Sequence, residues 1–564
     1  MASLVKAGRA AIVRRASFPV RCPVWTFARS HSRRFFGAET HGGDDIHKVD
    51  RLVCDFSVTT NALGPVPAAV EAVKQLLEGP ETLQTWNMHL GADQKVTSSP
   101  AIEHYPQRAD QPLENLVATF LRGDPNEAQK LIFGNGASEL IDLLARAAPQ
   151  GKFCLNPQTE VQYREYQRAC TNAGRGTTDN PTEASIICLV NPNNPTGDFM
   201  EREEIEGWIS SNAAPGSWVL VDESMLFWAG PDFQQRGVSS HFVDSMVKKH
   251  IHIFLVQSWT KIFACTGLRI GTVLCPTQEK RDSLLAMQVP WSVTAFARAY
   301  LRAAMEDRSY LERTWAETPA WRLHMVTRLK RLHPTWQFLG KPWLSWIWID
   351  TGSTDDAKDV YRTALHCGCP IRHAASGYDK PSIVRLAVRR PYDFSVLYQA
   401  LLRRQSNAAS LGKQMTFGTS ADVNPDVIEG VRLVHIDDLR PHEEVLTDRA
   451  EKLQEYVRDL PVKILPAIII DSQYDVVIDG HHRLELFKAA GLTIIPAVSV
   501  NYEHPDILVN PPGMRPDVCK EQVIGSAVRG QTMEPKTTQH LVRSRGGALL
   551  PIIVLAPQIA EVAK

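Results

Sequence analysis

From Leu52 onward, short apolar runs alternate with stretches of helical, amphipathic periodicity. Leu131–Phe133, Ser185–Val190, Trp218–Val221 and His252–Val256 have the length and apolar continuity of buried strands, and each is followed by a helix-like pattern. Such alternation predicts an α/β fold on a mainly parallel, doubly wound sheet. Ligands in sheets of this kind collect beyond the carboxyl ends of the strands, which directs attention to the loops after these four runs.

Between Arg404 and Gly430 the pattern dissolves into polar and small residues, the composition of a linker. A new strand pattern starts at Val431, and the remainder to Lys564 has the size of one compact α/β domain. Residues 39–403 and 431–564 are therefore expected to be two folded units joined by residues 404–430. Residues 1–38 differ from both. They carry arginines at positions 9, 14, 15, 21, 29, 33 and 34, and the first acidic residue is Glu39. That is the composition of a mitochondrial transit peptide, with the matrix as destination; the alternative is a disordered basic tail on a cytoplasmic protein.

Composition narrows the function. The 564 residues include 62 Lys plus Arg and 62 Asp plus Glu, so there is no basic excess to bind nucleic-acid phosphates. The ten cysteines are scattered without CxxC spacing, which fits a reducing compartment and gives no metal or disulfide framework. No apolar run approaches the ~20 residues that span a bilayer, so membrane insertion is not expected.

The loops carry the chemistry. Ser258-Trp259-Thr260-Lys261, followed by Gly267-Leu268-Arg269-Ile270-Gly271, places an amine, hydroxyls and a guanidinium after one predicted strand. Gly134-Asn135-Gly136-Ala137-Ser138-Glu139 lies between a strand and a helix, where the N–H groups of Gly136, Ala137 and Ser138 can receive a phosphate. Asn194 follows a third strand, Asp222 ends a fourth, and Tyr163 offers a ring for stacking. Together these groups suit pyridoxal 5'-phosphate (PLP). Lys261 would carry it, Ser258 and Arg269 would hold its phosphate, Asn194 would donate to its phenolate oxygen, and Asp222 would keep its pyridine nitrogen protonated.

The order and spacing of these elements resemble PLP enzymes of fold type I, which have a large and a small domain. Within them, His41-Gly42-Gly43, Asp55-Phe56-Ser57, Asn61, Leu63-Gly64-Pro65, His104-Tyr105-Pro106 and Pro290-Trp291-Ser292-Val293 are similar to threonine-phosphate decarboxylase. Histidinol-phosphate aminotransferase shares much of the pattern. The resemblance covers residues 41–403. It implies that His41, Asn61, Arg372 and Arg385 bind substrate, the two arginines gripping carboxylate and phosphate, and that the enzyme is a homodimer. Two departures stand out: Ala62 replaces the proline of the family's NPLG, and Met225 stands where relatives often place a tyrosine beside the ring.

In the second unit, Pro441-His442-Glu443, Val477-Ile478-Asp479-Gly480-His481-His482-Arg483 and Pro535-Lys536-Thr537-Thr538-Gln539-His540 occur in order. Asp479, the histidines and Arg483 converge at a predicted helix N-terminus, which can receive a phosphate. Adjacent His481 and His482 point in different directions, which disfavours a metal pair. The three motifs resemble the free L-serine kinases of the ParB/sulfiredoxin-like fold. That resemblance implies Glu443 as base, Asp479 and His482 at the phosphoryl group, and His481, Arg483, Lys536, Thr537, Thr538 and His540 holding amino acid or nucleotide, with ATP or ADP and Mg²⁺.

The two resemblances together predict a bifunctional enzyme. One unit phosphorylates free L-serine or L-threonine; the other decarboxylates the phosphoamino acid to phosphoethanolamine or aminopropanol phosphate. Serine is favoured, because the kinase motifs look like serine kinases and an organellar presequence points to a eukaryote, where cobalamin synthesis is not expected. The competing expectation is an aminotransferase of a phosphorylated substrate, with a nucleotide-binding regulatory unit.

Overall fold

The computed structural model describes residues 42–78, 100–107, 109–405, 423–446, 448, 451, 465–489, 491–510, 518–556 and 558–559. His41, the transit-peptide reading and most of the expected linker lie outside them. The described residues all fall in one compact unit.

The large sheet comprises β1 (Leu131–Asn135), β2 (Lys152–Leu155), β3 (Ala184–Val190), β4 (Trp218–Asp222), β5 (His252–Ser258) and β6 (Ile270–Leu274), in the order β1-β6-β5-β4-β3-β2. Strands β2 to β5 pair in parallel, and β6 alone runs against its neighbours. Alternate residues feed two apolar layers: Ile187, Leu189, Val219, Val221, Ile253 and Leu255 pack into one, Ile186, Cys188, Leu220, Phe254 and Val256 into the other. Both faces are covered by helices, which explains why the strands read as continuous apolar runs. The carboxyl ends of β1, β3, β4 and β5 share one edge, and the candidate residues follow them.

A smaller antiparallel sheet contains β7 (Gln337–Leu339), β8 (Trp346–Asp350), β9 (Arg372–His373) and β10 (Ile383–Ala387), ordered β7-β8-β10-β9. Its core joins Ile347, Ile349, Val384 and Leu386 to Leu397 and Leu401 of the helix Pro391–Gln405 and to Phe56 near the start of the described chain.

The C-terminal part contributes β11 (Ile428–His435), β12 (Arg440–Pro441), β13 (Leu465–Pro466), β14 (Ile468–Asp471), β15 (Val476–Asp479) and β16 (Ile494–Val500). Five of them form a mixed sheet in the order β11-β16-β14-β15-β12. A second small sheet joins β17 (Ile507–Val509), β18 (His540–Arg543) and β19 (Leu549–Pro551), while β13 pairs with β20 (Gln558–Ile559). Strand β11 begins at Ile428, ahead of the Val431 expected from periodicity, because Ile428 and Gly430 pair with Val500 and Ser499 of β16 while Glu429 is accommodated as an irregularity between them. The apolar run 466–470 is divided at Ala467, where the chain leaves one sheet for another. Among the described residues no helix is long and apolar enough to cross a membrane.

Candidate functional site

Lys261 lies just beyond β5, in the short helix Trp259–Ile262, half-buried at the shared strand edge. Burial, with the Arg269 and Arg385 guanidinium groups nearby, pushes its amine down to about 8. A lysine poised there is a nucleophile near neutral pH, as a carbonyl cofactor requires. Its backbone is held from below: Lys261 O accepts from Asn61 N–H at 3.0 Å, and Asn61 Nδ2 donates to Ile262 O at 3.0 Å and to Thr314 Oγ1 at 2.7 Å. Asn61 Oδ1 accepts from Leu63 N–H. The amide expected to meet substrate is thus engaged in fixing the lysine loop.

Asp222, buried at the end of β4, accepts from Tyr166 Oη at 3.0 Å and Ser224 N–H at 2.9 Å. Burial raises its carboxyl above the usual range, and the two donors oppose that. Tyr166, in the helix Glu165–Asn172, is a site residue that the motifs do not single out. Tyr163 faces Ser138, and burial raises its hydroxyl. Ser224 also links two strands, its Oγ accepting from Ser258 N–H at 2.8 Å. Ser258 Oγ meets Thr260 Oγ1 at 2.8 Å.

The predicted phosphate cradle is tight. Gly136 has φ +75°, and a Cβ there would lie 2.5 Å from Arg269 Nη2; a Cβ on Gly271 would lie 2.6 Å from Ala137 N. Arg269 itself adopts φ +57°. Side chains are excluded where backbone N–H groups and a guanidinium face one space, the arrangement that receives a phosphate.

Arg385 is buried, with Nη1 donating to Asn194 Oδ1 at 2.8 Å and Nη2 to Ser57 O at 2.7 Å. Its Nε has no partner among the described residues. Arg372 Nη2 donates to Ser376 O at 3.0 Å, and its Nη1 lies 3.7 Å from Asp45 Oδ2. Asp45, also unforeseen, is buried and accepts from Lys48 Nζ at 2.6 Å and Tyr361 Oη at 3.1 Å. Met225 is buried in the apolar layer. These residues fit PLP: an amine of depressed basicity, a buried carboxylate, a phosphate cradle and a buried guanidinium with a spare donor.

The C-terminal motifs also meet. Two adjoining cavities of 260 and 240 Å³ share Glu443, Asp479, His481 and Ile553. The first adds His482, Arg483 and Lys536; the second adds Thr538 and His540. His442 Nδ1 donates to Val477 O at 2.6 Å, so its Nε2 accepts from Thr538 Oγ1 at 2.8 Å. Burial holds His442 at about 4, hence neutral. Glu443 Oε1 accepts from Thr538 N–H at 3.0 Å, joining the first motif to the third. His540 Nε2 bonds Tyr502 Oη at 2.7 Å, and Tyr502 was likewise unforeseen. His481 is buried edge-on to His442, while His482 is less buried, so the adjacent rings diverge.

Two expected ligands are otherwise engaged. Arg483 donates to the Pro466 and Ala467 carbonyls and pairs with Asp479, which leaves it bracing the loop rather than presenting an open fork. Thr537 Oγ1 donates to Glu534 O within its own turn. No cluster of three or more His, Cys, Asp or Glu among the described residues is arranged to hold a metal.

The fold and cofactor site define a PLP-dependent enzyme. The chain belongs to the aminotransferase class I and II family, whose model matches residues 53–343. A relative from Caldanaerobacter subterraneus subsp. tengcongensis, assigned by name as a threonine-phosphate decarboxylase, is 28% identical over 319 residues, 53% of this chain and 83% of its own. The histidinol-phosphate aminotransferase of Methanothermobacter thermautotrophicus is 24% identical over 334 residues, 56% of this chain and 79% of its own. In fold, the chain is similar to the crystal structure of histidinol-phosphate aminotransferase from Sinorhizobium meliloti in complex with PLP. The TM-score is 0.51 at 15% identity, covering 67% of this chain and all of that one.

Proposed function

We propose that the chain converts a free β-hydroxy amino acid, L-serine or L-threonine, into its phosphoamine in two steps. The C-terminal cleft phosphorylates the hydroxyl from ATP or ADP with Mg²⁺, and the PLP site removes the carboxyl group as CO₂. The observation that carries the second step is the buried, cross-strand Arg372–Arg385 pair, with Arg385 near Lys261, which supplies two guanidinium groups for a substrate bearing both a carboxylate and a phosphate. The similarity to a protein named threonine-phosphate decarboxylase supports the same substrate class.

In the first domain PLP, when bound, supplies an electron sink for the pair released from Cα. Asp222, steadied by Tyr166, holds the positive charge of its ring nitrogen. Arg385 holds Asn194 in place and offers Nε to an anion. Lys261, half neutral near pH 8, moves protons at Cα. In the cleft, Glu443 is the base for the hydroxyl proton, while His442, fixed as an acceptor, orients Thr538 towards the ligand. Phosphoryl transfer by such a site is mainly positioning and charge neutralisation. The double lobe of the cleft suits two ligands meeting at Glu443 and Asp479. Import into mitochondria and a homodimeric state complete the proposal.

The test incubates residues 39–564 with PLP, Mg²⁺, ATP or ADP, and L-serine or L-threonine, following phosphorus NMR and CO₂ release. A phosphoamine from one amino acid establishes the pathway and its substrate. A phosphoamino acid that accumulates without CO₂ sinks the decarboxylase reading in favour of transamination; absence of phosphorylation sinks the kinase reading.

A further inference from the structure

The hairpin turn between β14 and β15 exposes Gln473 and Tyr474 at its tip, as turns ordinarily do, but buries its base. Asp471, Ser472 and Asp475 are all buried, and the Asp471 carboxylate accepts from the N–H groups of Gln473, Tyr474 and Val476. The cofactor-binding part of the chain packs against that base. Arg328, in the helix Arg308–Leu332, pairs with Asp475 and lies 3.7 Å from Asp438. Arg331 pairs with Asp438, Tyr398 Oη donates to Asp438 Oδ2 at 3.1 Å, and Gln399 Nε2 donates to Leu433 O. Arg432 of β11 closes the network on Asp475.

Asp438 and Asp475 stand just ahead of β12 and β15. These strands pair in parallel, Arg440 opposite Val476 and Pro441 opposite Val477, and Arg440 N–H donates to Asp475 O at 3.0 Å. Running forward, one delivers His442 and Glu443 and the other Asp479. At ~3.3 Å per residue the anchored end of β15 lies about 13 Å from Asp479. We infer that Arg328 is a positioning residue for the C-terminal cleft: it fixes the start of the two strands whose far ends carry that cleft's acidic groups. The inference rests on the reading of the cleft as a phosphoryl-transfer site. Without Arg328, Asp475 keeps only Arg432 and Asp438 keeps Arg331 and Tyr398; a buried carboxylate that loses one of its guanidinium partners shifts towards the other or towards water, and either change moves the strand behind it.

The test compares full-length wild type, Arg328→Met and Arg328→Lys. Phosphoryl transfer to L-serine is measured as kcat and KM per cofactor-absorbing molecule, alongside amide hydrogen exchange over residues 440–444 and 476–480. Arg328→Met is expected to lower kcat about tenfold or more, the scale of a small misplacement of catalytic groups. Exchange is expected to quicken in both segments, while cofactor absorbance and CO₂ release from supplied O-phosphoserine stay unchanged and Arg328→Lys recovers part of the loss. Unchanged kcat, or a kcat loss with unchanged exchange, overturns the inference. Should Arg328→Met fail to fold, Tyr398→Phe, which removes only one donor to Asp438, carries the same readouts. If wild type transfers no phosphoryl group, the reading of the cleft fails, and exchange alone then decides whether Arg328 holds the strands.

Discussion

Arg372 and Arg385 are direct cross-strand partners, set opposite each other in β9 and β10. Like charges so placed repel, and both side chains are buried. Asp45, 3.7 Å from Arg372, supplies a counter-charge from the start of the chain. Asp45→Asn, which keeps the shape and removes the charge, is expected to strengthen inorganic phosphate binding to the PLP-loaded protein severalfold and steepen its salt dependence. Isothermal titration calorimetry at two ionic strengths checks this; weaker phosphate binding would instead make Asp45 a support for Arg372.

Lys261 sets a pH dependence. Its folded value of about 8 lies below the ordinary 10.5, so at intermediate pH the folded chain has released a proton that the unfolded chain retains. The stability contributed by this group therefore rises with pH from about 8 to 10.5 and is absent below 8. In cofactor-free protein, Lys261 should react with trinitrobenzenesulfonate with a midpoint near 8, read by peptide mass spectrometry. Arg269→Gln should move that midpoint upward, because Arg269 is the leading charge that disfavours the ammonium form.

Tyr166→Phe removes one donor on Asp222 and leaves those of Ser224. A hydrogen bond to a buried carboxylate contributes about 1.5–3 kcal/mol, so PLP affinity should fall roughly tenfold or more. Equilibrium dialysis with cofactor absorbance measures it; unaltered affinity would show that Tyr166 does not sustain the charge of Asp222.

Gly136→Ala puts a Cβ 2.5 Å from Arg269 Nη2 at a residue with φ +75°. The expected result is a folded protein that loses PLP on dialysis, at a backbone cost of about 1–2 kcal/mol read by thermal unfolding. Retention of PLP at wild-type affinity would place the phosphate elsewhere.

Glu443→Gln leaves the Thr538 N–H acceptor in place but removes the charge and basicity of the carboxylate. Phosphorylation of L-serine should drop by about 10²–10⁴, while CO₂ release from supplied O-phosphoserine is retained. Parallel loss of both activities would argue against two separate sites.

The large sheet and the edge that carries the site are legible in the apolar runs and the motifs that follow them. Strands buried on both faces leave continuous apolar runs, and the residues that face a cofactor must follow them at fixed loop positions. Lys261, Asp222, Asn194, Gly136 and Arg269 are legible for that reason. How the remaining polar groups are engaged emerges from the folded chain alone. Asn61 bonds backbone 201 residues away, Arg483 braces the loop of its own sheet, Tyr166 reaches Asp222, and Asp45 meets Arg372. Such pairings leave no periodic trace, because a hydrogen bond between distant segments requires only that two side chains arrive at one place. The junction of Arg328 with Asp475 was hidden for the same reason: neither residue breaks the pattern of its own element, and their pairing across the two parts of the chain shows only in the fold.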